Sequence, residues 1–412
     1  MIRSKFAESM SPSDSTPRRF APPLSRGDSS PRREDPLYQE GCPQGGVCGS
    51  GNYLDHGALP APHRTFGLLL LALVAARLPA AEPWLVTSAE LADLAKNAPA
   101  ALTVPITTVV DGESLPGGDP HDYISYARYY WPDPAKPDGL PFVQRDGEHN
   151  RDQVAKGDRS RINTFAHAVT RLAAAWHLHR DEAAARRAGE WLRAWYLDPA
   201  TRMNPNLDYA QVRLGHKSNR GNPAGVLDTR DFAGVIDALR LLEDSPALSA
   251  DEHAALRAWF ARYLDWLLKA PNAVAERAAK NNHATWYYAH AIPVARYAGR
   301  DEVARELSAE ARDRIAEHIR PDGSQPEEIR RVDGLGYSRF NLEAYAATAR
   351  AARGLGFDLW NYTAPNGASL RQALEFLRPY NAAPEKWPTS QKEKLEPGFL
   401  DDLLAEAATA KP

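Results

Sequence analysis

From residue 158 onward, apolar side chains recur at helical spacing almost without interruption. Ile162, Phe165, Ala166, Val169, Leu172, Ala173 and Trp176 follow a 3.6-residue period, and Ala188, Leu192 and Trp195 repeat it. Phe232, Val235, Ile236 and Leu239 predict a helix over 231–243, and Leu256, Phe260, Tyr263, Leu264 and Leu267 one over 251–269. Further helices are predicted over 282–297, 301–318, 339–355 and 368–379. An apolar stripe on a helix has to be buried against another element, so consecutive helices joined by short turns pack as antiparallel hairpins. Several hairpins closing around one axis make an all-α fold, an α/α toroid or incomplete α/α barrel. Two connections, 198–230 and 320–337, are long and are expected at one end of the toroid, where a cleft can form. No sequence period marks identical repeats.

The rest of the chain reads differently. Residues 1–63 are rich in Pro, Ser, Gly and Arg, cannot bury enough surface to offset chain entropy, and are expected to be a disordered extension. His63-Arg64 then leads into the apolar run Phe66–Ala76 and the small residues Pro79-Ala80-Ala81, the pattern of a signal peptide over 64–81. Export signals act from an N-terminus, so the first 63 residues are expected to be an over-extended start and the mature chain to begin near Ala81 or Glu82. That predicts a periplasmic or secreted protein with no membrane partner after signal removal. Residues 83–141 are rich in turns, with only Ser88–Lys96 helical and Ser88 as its cap. A long irregular stretch within a folded domain usually lines a binding surface. The folded domain is placed at 82–380, with 381–412 as a polar C-terminal tail containing Pro384, Pro388 and Pro397.

Charge and cysteine content remove several function classes. A net charge of −3 over 412 residues offers no basic excess for nucleic acid, so an anionic ligand has to be held by local Arg, Lys, Asn and His. Cys42 and Cys48, the only cysteines, lie outside the helical part, which therefore has neither a disulfide framework nor a thiolate metal site. His283 and His290 stand two helical turns apart without a third ligand on that face, so no metal is expected. No phosphate loop or dinucleotide fingerprint is present, and no cofactor is expected.

The polar residues that interrupt the helical pattern form two groups. Lys280-Asn281-Asn282-His283 precedes Trp286 and Tyr287, and Gln325-Pro326-Glu327-Glu328-Ile329-Arg330 precedes Gly336-Tyr337-Ser338. Taken singly, an Asn-Asn-His run is usually a helix cap, an arginine a surface ion pair and a tyrosine packing. Together they supply two amides, an imidazole, a guanidinium and a phenol, a set suited to binding an acidic sugar and moving a proton. The loop Asn204–Gln211, with Tyr209 and Gln211 and followed by Arg213, His216 and Arg220, either contacts substrate carboxylates or is simply solvated. Tyr130, Trp131, Trp286 and Tyr287 either stack on sugar rings or belong to the core.

Asn281-Asn282-His283 with Trp286, Glu328-Ile329-Arg330 and Tyr337 resemble the alginate lyase superfamily of polysaccharide lyases. His283 and Tyr337 are 54 residues apart and Arg330 precedes Tyr337 by seven, spacings similar to the family pattern. The resemblance extends through Gly118–Tyr123, Trp131–Pro141, Leu197–Pro205, Asp322–Pro326, Asn341-Leu342-Glu343 and Asp358-Leu359-Trp360, covering roughly residues 100–380. It implies β-elimination on a 1,4-linked uronate polymer without a cofactor. Poly-mannuronate in alginate is the first choice of substrate and glucuronan the second.

Such an enzyme removes a proton alpha to a carboxylate, which requires that carboxylate to be neutralised by donors placed where charge develops. The resemblance assigns Asn282 and Arg330 to that role. It assigns Tyr337 as base and acid, with His283 orienting it or taking the proton. Asn281, Trp286, Tyr287, Gln325, Tyr209, Gln211, Tyr130 and Trp131 are the expected substrate contacts, and Glu328 is expected to hold Arg330 or Arg331. The alternatives are an inverting glycoside hydrolase using Glu327 and Asp228, or a non-catalytic glycan-binding protein.

Overall fold

The computed structural model describes residues 81–115 and 118–410, so the expected extension and nearly all of the expected signal peptide lie outside the described residues. The long helices are Arg159–His179, Glu182–Leu192, Phe232–Leu241, Ala250–Lys269, Asn282–Tyr297, Asp301–Asp313 and Gly334–Arg353. They pack as the antiparallel hairpins that an α/α toroid requires. The apolar stripes read from the sequence form the main core, where Phe165, Leu172, Trp191, Trp195, Phe232, Phe260 and Tyr263 are fully buried.

Two helices sit at the centre. Asn282–Tyr297 is buried along almost its whole length and packs against Gly334–Arg353. The first turns of both contribute to the same cleft. Helix N-termini carry unpaired N–H groups and a partial positive charge, so that end of the molecule suits an anion.

The first helix spans Ser88–Lys96 as expected, but its cap is Thr87, not Ser88. Thr87 and Glu90 form a reciprocal capping box. The segment before it is fastened by a buried acid: Asp237 accepts the backbone N–H groups of Trp84, Leu85 and Val86 at 2.7, 2.8 and 2.9 Å. The Trp84 ring lies between the guanidinium groups of Arg240 and Arg296, 3.9 and 3.8 Å from its centroid.

Among the described residues, two very short strands in the turn-rich region pair with two others further along the chain, none of which periodicity revealed. Ile124–Tyr126 pairs in parallel with Tyr209–Val212, and Tyr130–Trp131 pairs antiparallel with Val143–Gln144. Strands of two to four residues are too short to show a two-residue alternation. They place residues 127–130 beside Gln211 and Arg213.

The segment after Tyr380 docks on the domain. Trp387, Leu400, Leu403 and Ala407 are buried in a second core. The Ser390 hydroxyl donates to the Val332 carbonyl, the Lys392 N–H bonds the same carbonyl, and the Glu393 N–H bonds Asp333. Gln391 accepts the N–H groups of Leu335 and Gly336. The C-terminal segment thus straps the turn that opens the helix carrying Tyr337.

Candidate active site

A cleft of about 330 Å³ opens between the two long loops, the short strands and the starts of the two central helices. Among its lining residues are Asn282, His283 and Tyr337, brought together as the sequence spacing suggests, together with Gln211 and Tyr130. Among the described residues that line it are three arginines, Arg128, Arg213 and Arg331, against one carboxylate, Asp146. Burial and the neighbouring Arg159 cation lower the pKa of Arg128. Held inside protein beside like charge, that guanidinium favours the entry of an anion. The Arg213 guanidinium lies over the Tyr130 ring, 4.6 Å from its centroid.

Arg330 is not in the cleft. Its side chain is 69% exposed and pairs with Glu327 at 2.6 Å. Arg331, 23% exposed, takes the position expected of it, donating to the Tyr337 hydroxyl at 3.3 Å and pairing with Asp146 at 3.3 Å. Its guanidinium also lies over the Tyr337 ring, 4.3 Å from the centroid. The one-residue difference arises in the short turn Pro326–Ile329. After that turn Gly334 passes so close to the Ile329 carbonyl that a Cβ would stand 2.6 Å from its oxygen. This tight return aims residue 331 inward and residue 330 at solvent.

Tyr337 is mostly buried, and its hydroxyl lies 3.2 Å from that of Tyr129. Burial and Tyr129 push its pKa well above the usual phenol range, and Arg331 only partly opposes them. The phenol therefore carries its proton. His283 bonds through Nδ1 to Glu276 at 2.6 Å. Burial disfavours the imidazolium, but Glu276, with a smaller contribution from Glu328, outweighs that and raises the pKa. A carboxylate on Nδ1 selects the tautomer with the proton there and leaves Nε2 as the basic atom. Asn282 is 1% exposed and donates its backbone and side-chain N–H groups to Glu328 at 2.6 and 2.7 Å. Glu328 thus holds Asn282, not either arginine as expected.

Gln211 has a left-handed backbone, φ 52°. The strained residue is held by its N–H on the Ser125 hydroxyl, by its amide on Ala224 and Asp228, and by Asn222 on its carbonyl. Strain kept by so many bonds is typical of a ligand-contacting position.

Other expected contacts lie elsewhere. Asn281 caps the helix, accepting the His283 N–H at 3.2 Å. Tyr287 is fully buried with its hydroxyl on the Leu267 carbonyl, and Gln325 is buried against Ser338 and Asn341. Trp286 is buried against Phe340, a residue that does line the cleft. Tyr209 lies beneath the Arg220 guanidinium, and Trp131 donates to the Glu148 carbonyl outside the cleft. His290 is buried and bonded to Tyr263.

The hydrolase pair is not assembled. Asp228 is buried and bonded by Arg159, Ser125, Tyr123 and Gln211, while Glu327 pairs with Arg330. Sequence reasoning did not single out Arg128, Tyr129, Asp146 or Arg331. Tyr129 stood in a visible aromatic run, but nothing in the sequence distinguished Arg331 from its neighbour.

A family model described as alginate lyase matches residues 110–387. Among solved structures, an alginate lyase from Bacteroides ovatus is 34% identical, with a TM-score of 0.72, over 78% of this chain and 88% of that one. Alginate lyase A1-III from Sphingomonas species A1 is 16% identical, with a TM-score of 0.50, over 77% and 85%. A histidine-to-alanine variant of alginate lyase A1-III, complexed with tetrasaccharide, is 15% identical, with a TM-score of 0.52, over 78% and 85%. No curated protein matches.

Proposed function

The chain belongs to the alginate lyase family and is a polysaccharide lyase, and on that premise we propose that it cleaves 1,4-linked uronate polymers by β-elimination, with poly-mannuronate preferred. The observation that carries this reading is the cleft itself: three arginines and one carboxylate surround an imidazole, an amide and a protonated phenol. The tetrasaccharide complexes of alginate lyase A1-III were obtained with histidine and tyrosine variants whose positions are 54 residues apart, the separation of His283 and Tyr337 here.

In the proposed reaction, Asn282 and Arg331 donate to the carboxylate of the sugar to be opened. They stabilise the second negative charge that develops on it as C5 loses its proton. His283 Nε2 takes the C5 proton. The C5–H electrons form the C4–C5 double bond, the C4–O4 bond breaks, and Tyr337 gives its proton to O4. The two proton transfers thus fall to different groups, because a phenol that burial keeps protonated has a proton to give to the leaving oxygen but no phenolate form to take one from C5. Glu276 makes His283 the stronger base. Arg128 and Arg213 hold the carboxylates of neighbouring sugars.

Glucuronan is a second substrate, since its sugar differs from mannuronate only at C2 and the elimination is identical. We further propose that the protein is exported, on the strength of the apolar run Phe66–Ala76 and the small residues that follow it.

The test is to incubate the protein with alginate, poly-mannuronate, poly-guluronate, glucuronan and hyaluronan while following ultraviolet absorbance. Only elimination makes a conjugated double bond. Rising absorbance, fastest on poly-mannuronate, is expected. New reducing ends without absorbance would identify a hydrolase, and binding without turnover a glycan-binding protein.

A further inference from the structure

Glu328 is 1% exposed, and both of its carboxylate oxygens are used on one residue: Oε1 accepts the backbone N–H of Asn282 and Oε2 accepts its side-chain N–H. We propose that Glu328 is the positioning residue for the Asn282 amide, fixing which end of that amide faces the substrate carboxylate. The inference rests on the lyase reading above and names a part of the site that reading leaves open.

An amide side chain has a donating end and an accepting end, and a half-turn about its last bond exchanges them. A donor must face an anionic substrate, since the carbonyl end would repel it. An ionised carboxylate only accepts, so Glu328 holds the –NH2 end toward itself. One N–H is committed to Glu328, and the other is left to reach into the cleft that Asn282 lines.

Helix capping alone does not require this arrangement. The Asn281 side chain already caps the His283 N–H. The Asn282 N–H needs one acceptor, and the second carboxylate oxygen goes to the side chain instead.

The charged groups facing Glu328 are His283, on the same helix as Asn282, and Arg331 on its own turn. Burial raises Glu328 to about 7, against the opposing effects of the Asn282 bonds, His283 and Arg331. Near neutral pH it can therefore gain a proton. A protonated Glu328 donates its own O–H to the Asn282 carbonyl, which turns the amide over and puts an oxygen where the second N–H had reached into the cleft. Loss of rate at low pH then has two sources, His283 and Glu328.

The experiment is a double-mutant cycle on poly-mannuronate with N282A, E328Q and the double variant, with thermal melts of each. N282A is expected to lower kcat roughly 10²–10³-fold, as for removal of one charge-stabilising donor. In E328Q an N–H replaces an accepting oxygen and the amide turns over, so kcat falls by a similar factor while KM changes much less. The double variant is no slower than N282A, because the two residues act as one unit.

Wild-type kcat in E328Q, or losses that multiply in the double variant, overturns the proposal. Should E328Q fail to fold, the pH profile decides. The acid limb of log kcat steepens toward a slope of two over roughly the first two to three decades of loss in the unmodified enzyme and stays at one in N282A, and an unchanged slope overturns the proposal. Absence of unsaturated product from the unmodified protein would instead sink the lyase reading itself, a result separable from every outcome of the cycle.

Discussion

Asp237 and Glu328 are both carboxylates inside the helical body, and burial raises the pKa of each. Asp237 accepts three backbone N–H groups from residues 84–86, far along the chain from the cleft residues. Glu328 accepts the backbone and side-chain N–H groups of a residue that lines the cleft, with His283 and Arg331 nearby. Backbone donors leave Asp237 nothing to orient, so it works as a fastener for the N-terminal segment. A side-chain donor with a second N–H gives Glu328 control over a group that lines the cleft and, in the proposed reaction, meets the substrate carboxylate. The use of a buried charge is therefore read from what its partner can still do once the bond is made.

The largest effect expected on the cleft side of this comparison is from Tyr337→Phe. It removes the proposed proton donor and should lower kcat roughly 10²–10⁴-fold, with a melting temperature close to that of the unmodified protein. An active Y337F would show that O4 is protonated by another group.

Arg331→Ala is expected to lower kcat/KM roughly 10²–10³-fold, whereas Arg330→Ala, at an exposed ion pair, stays within about threefold. Equal losses in the two variants, measured by ultraviolet turnover, would contradict the placement of these side chains.

On the fastener side, Asp237→Ala leaves three N–H groups without their acceptor and should destabilise the fold by about 3 kcal/mol or more. The kcat of the folded fraction should not change. A fall in kcat without a stability loss would erase the contrast with Glu328.

The pH dependence of stability sharpens the same contrast. Glu328 has a folded pKa, about 7, above the usual 4.5 for a glutamate. Its contribution to stability is therefore full below about pH 4.5 and is lost as pH rises through 7. At 1.36 kcal/mol per unit, the unmodified protein loses on the order of 3 kcal/mol relative to E328Q across that range. Denaturant titrations of the two proteins at pH 5 and pH 8 measure it, and a constant difference would refute it.

The smallest effect is a displacement. Glu276→Gln removes the partner that raises His283, so the acid limb of kcat/KM should move to lower pH. A limb that stays in place would mean that another group is the base.

The helical body was legible because burial on a helix face leaves a 3.6-residue trace, and Phe165, Leu172, Phe232 and Phe260 lie in the core as that trace requires. Asn282, His283 and Tyr337 were legible as a set, and they share one cleft. The aromatic contacts were less legible. Tyr287 and Trp286 sit on the buried side of a helix enclosed nearly all round, and no stripe of exposure separates a core ring from a sugar-facing one. Arg128 and Tyr129 reach the cleft on a loop between two very short strands, where no period exists to be read.

Taken alone, the amino-acid order determined which stretches become helices and which of their faces are buried, and it named an imidazole, an amide and a phenol as candidates for one cleft. Only the tertiary structure decided that Arg331 and not Arg330 faces Tyr337, and that Glu328 grips Asn282. The reason is physical. Periodicity records the burial of a regular element, whereas the aim of a side chain on an irregular turn depends on distant contacts. Here those contacts are Ser390–Glu393 strapping 332–336 and the close approach of Gly334 to Ile329, and no local pattern encodes them.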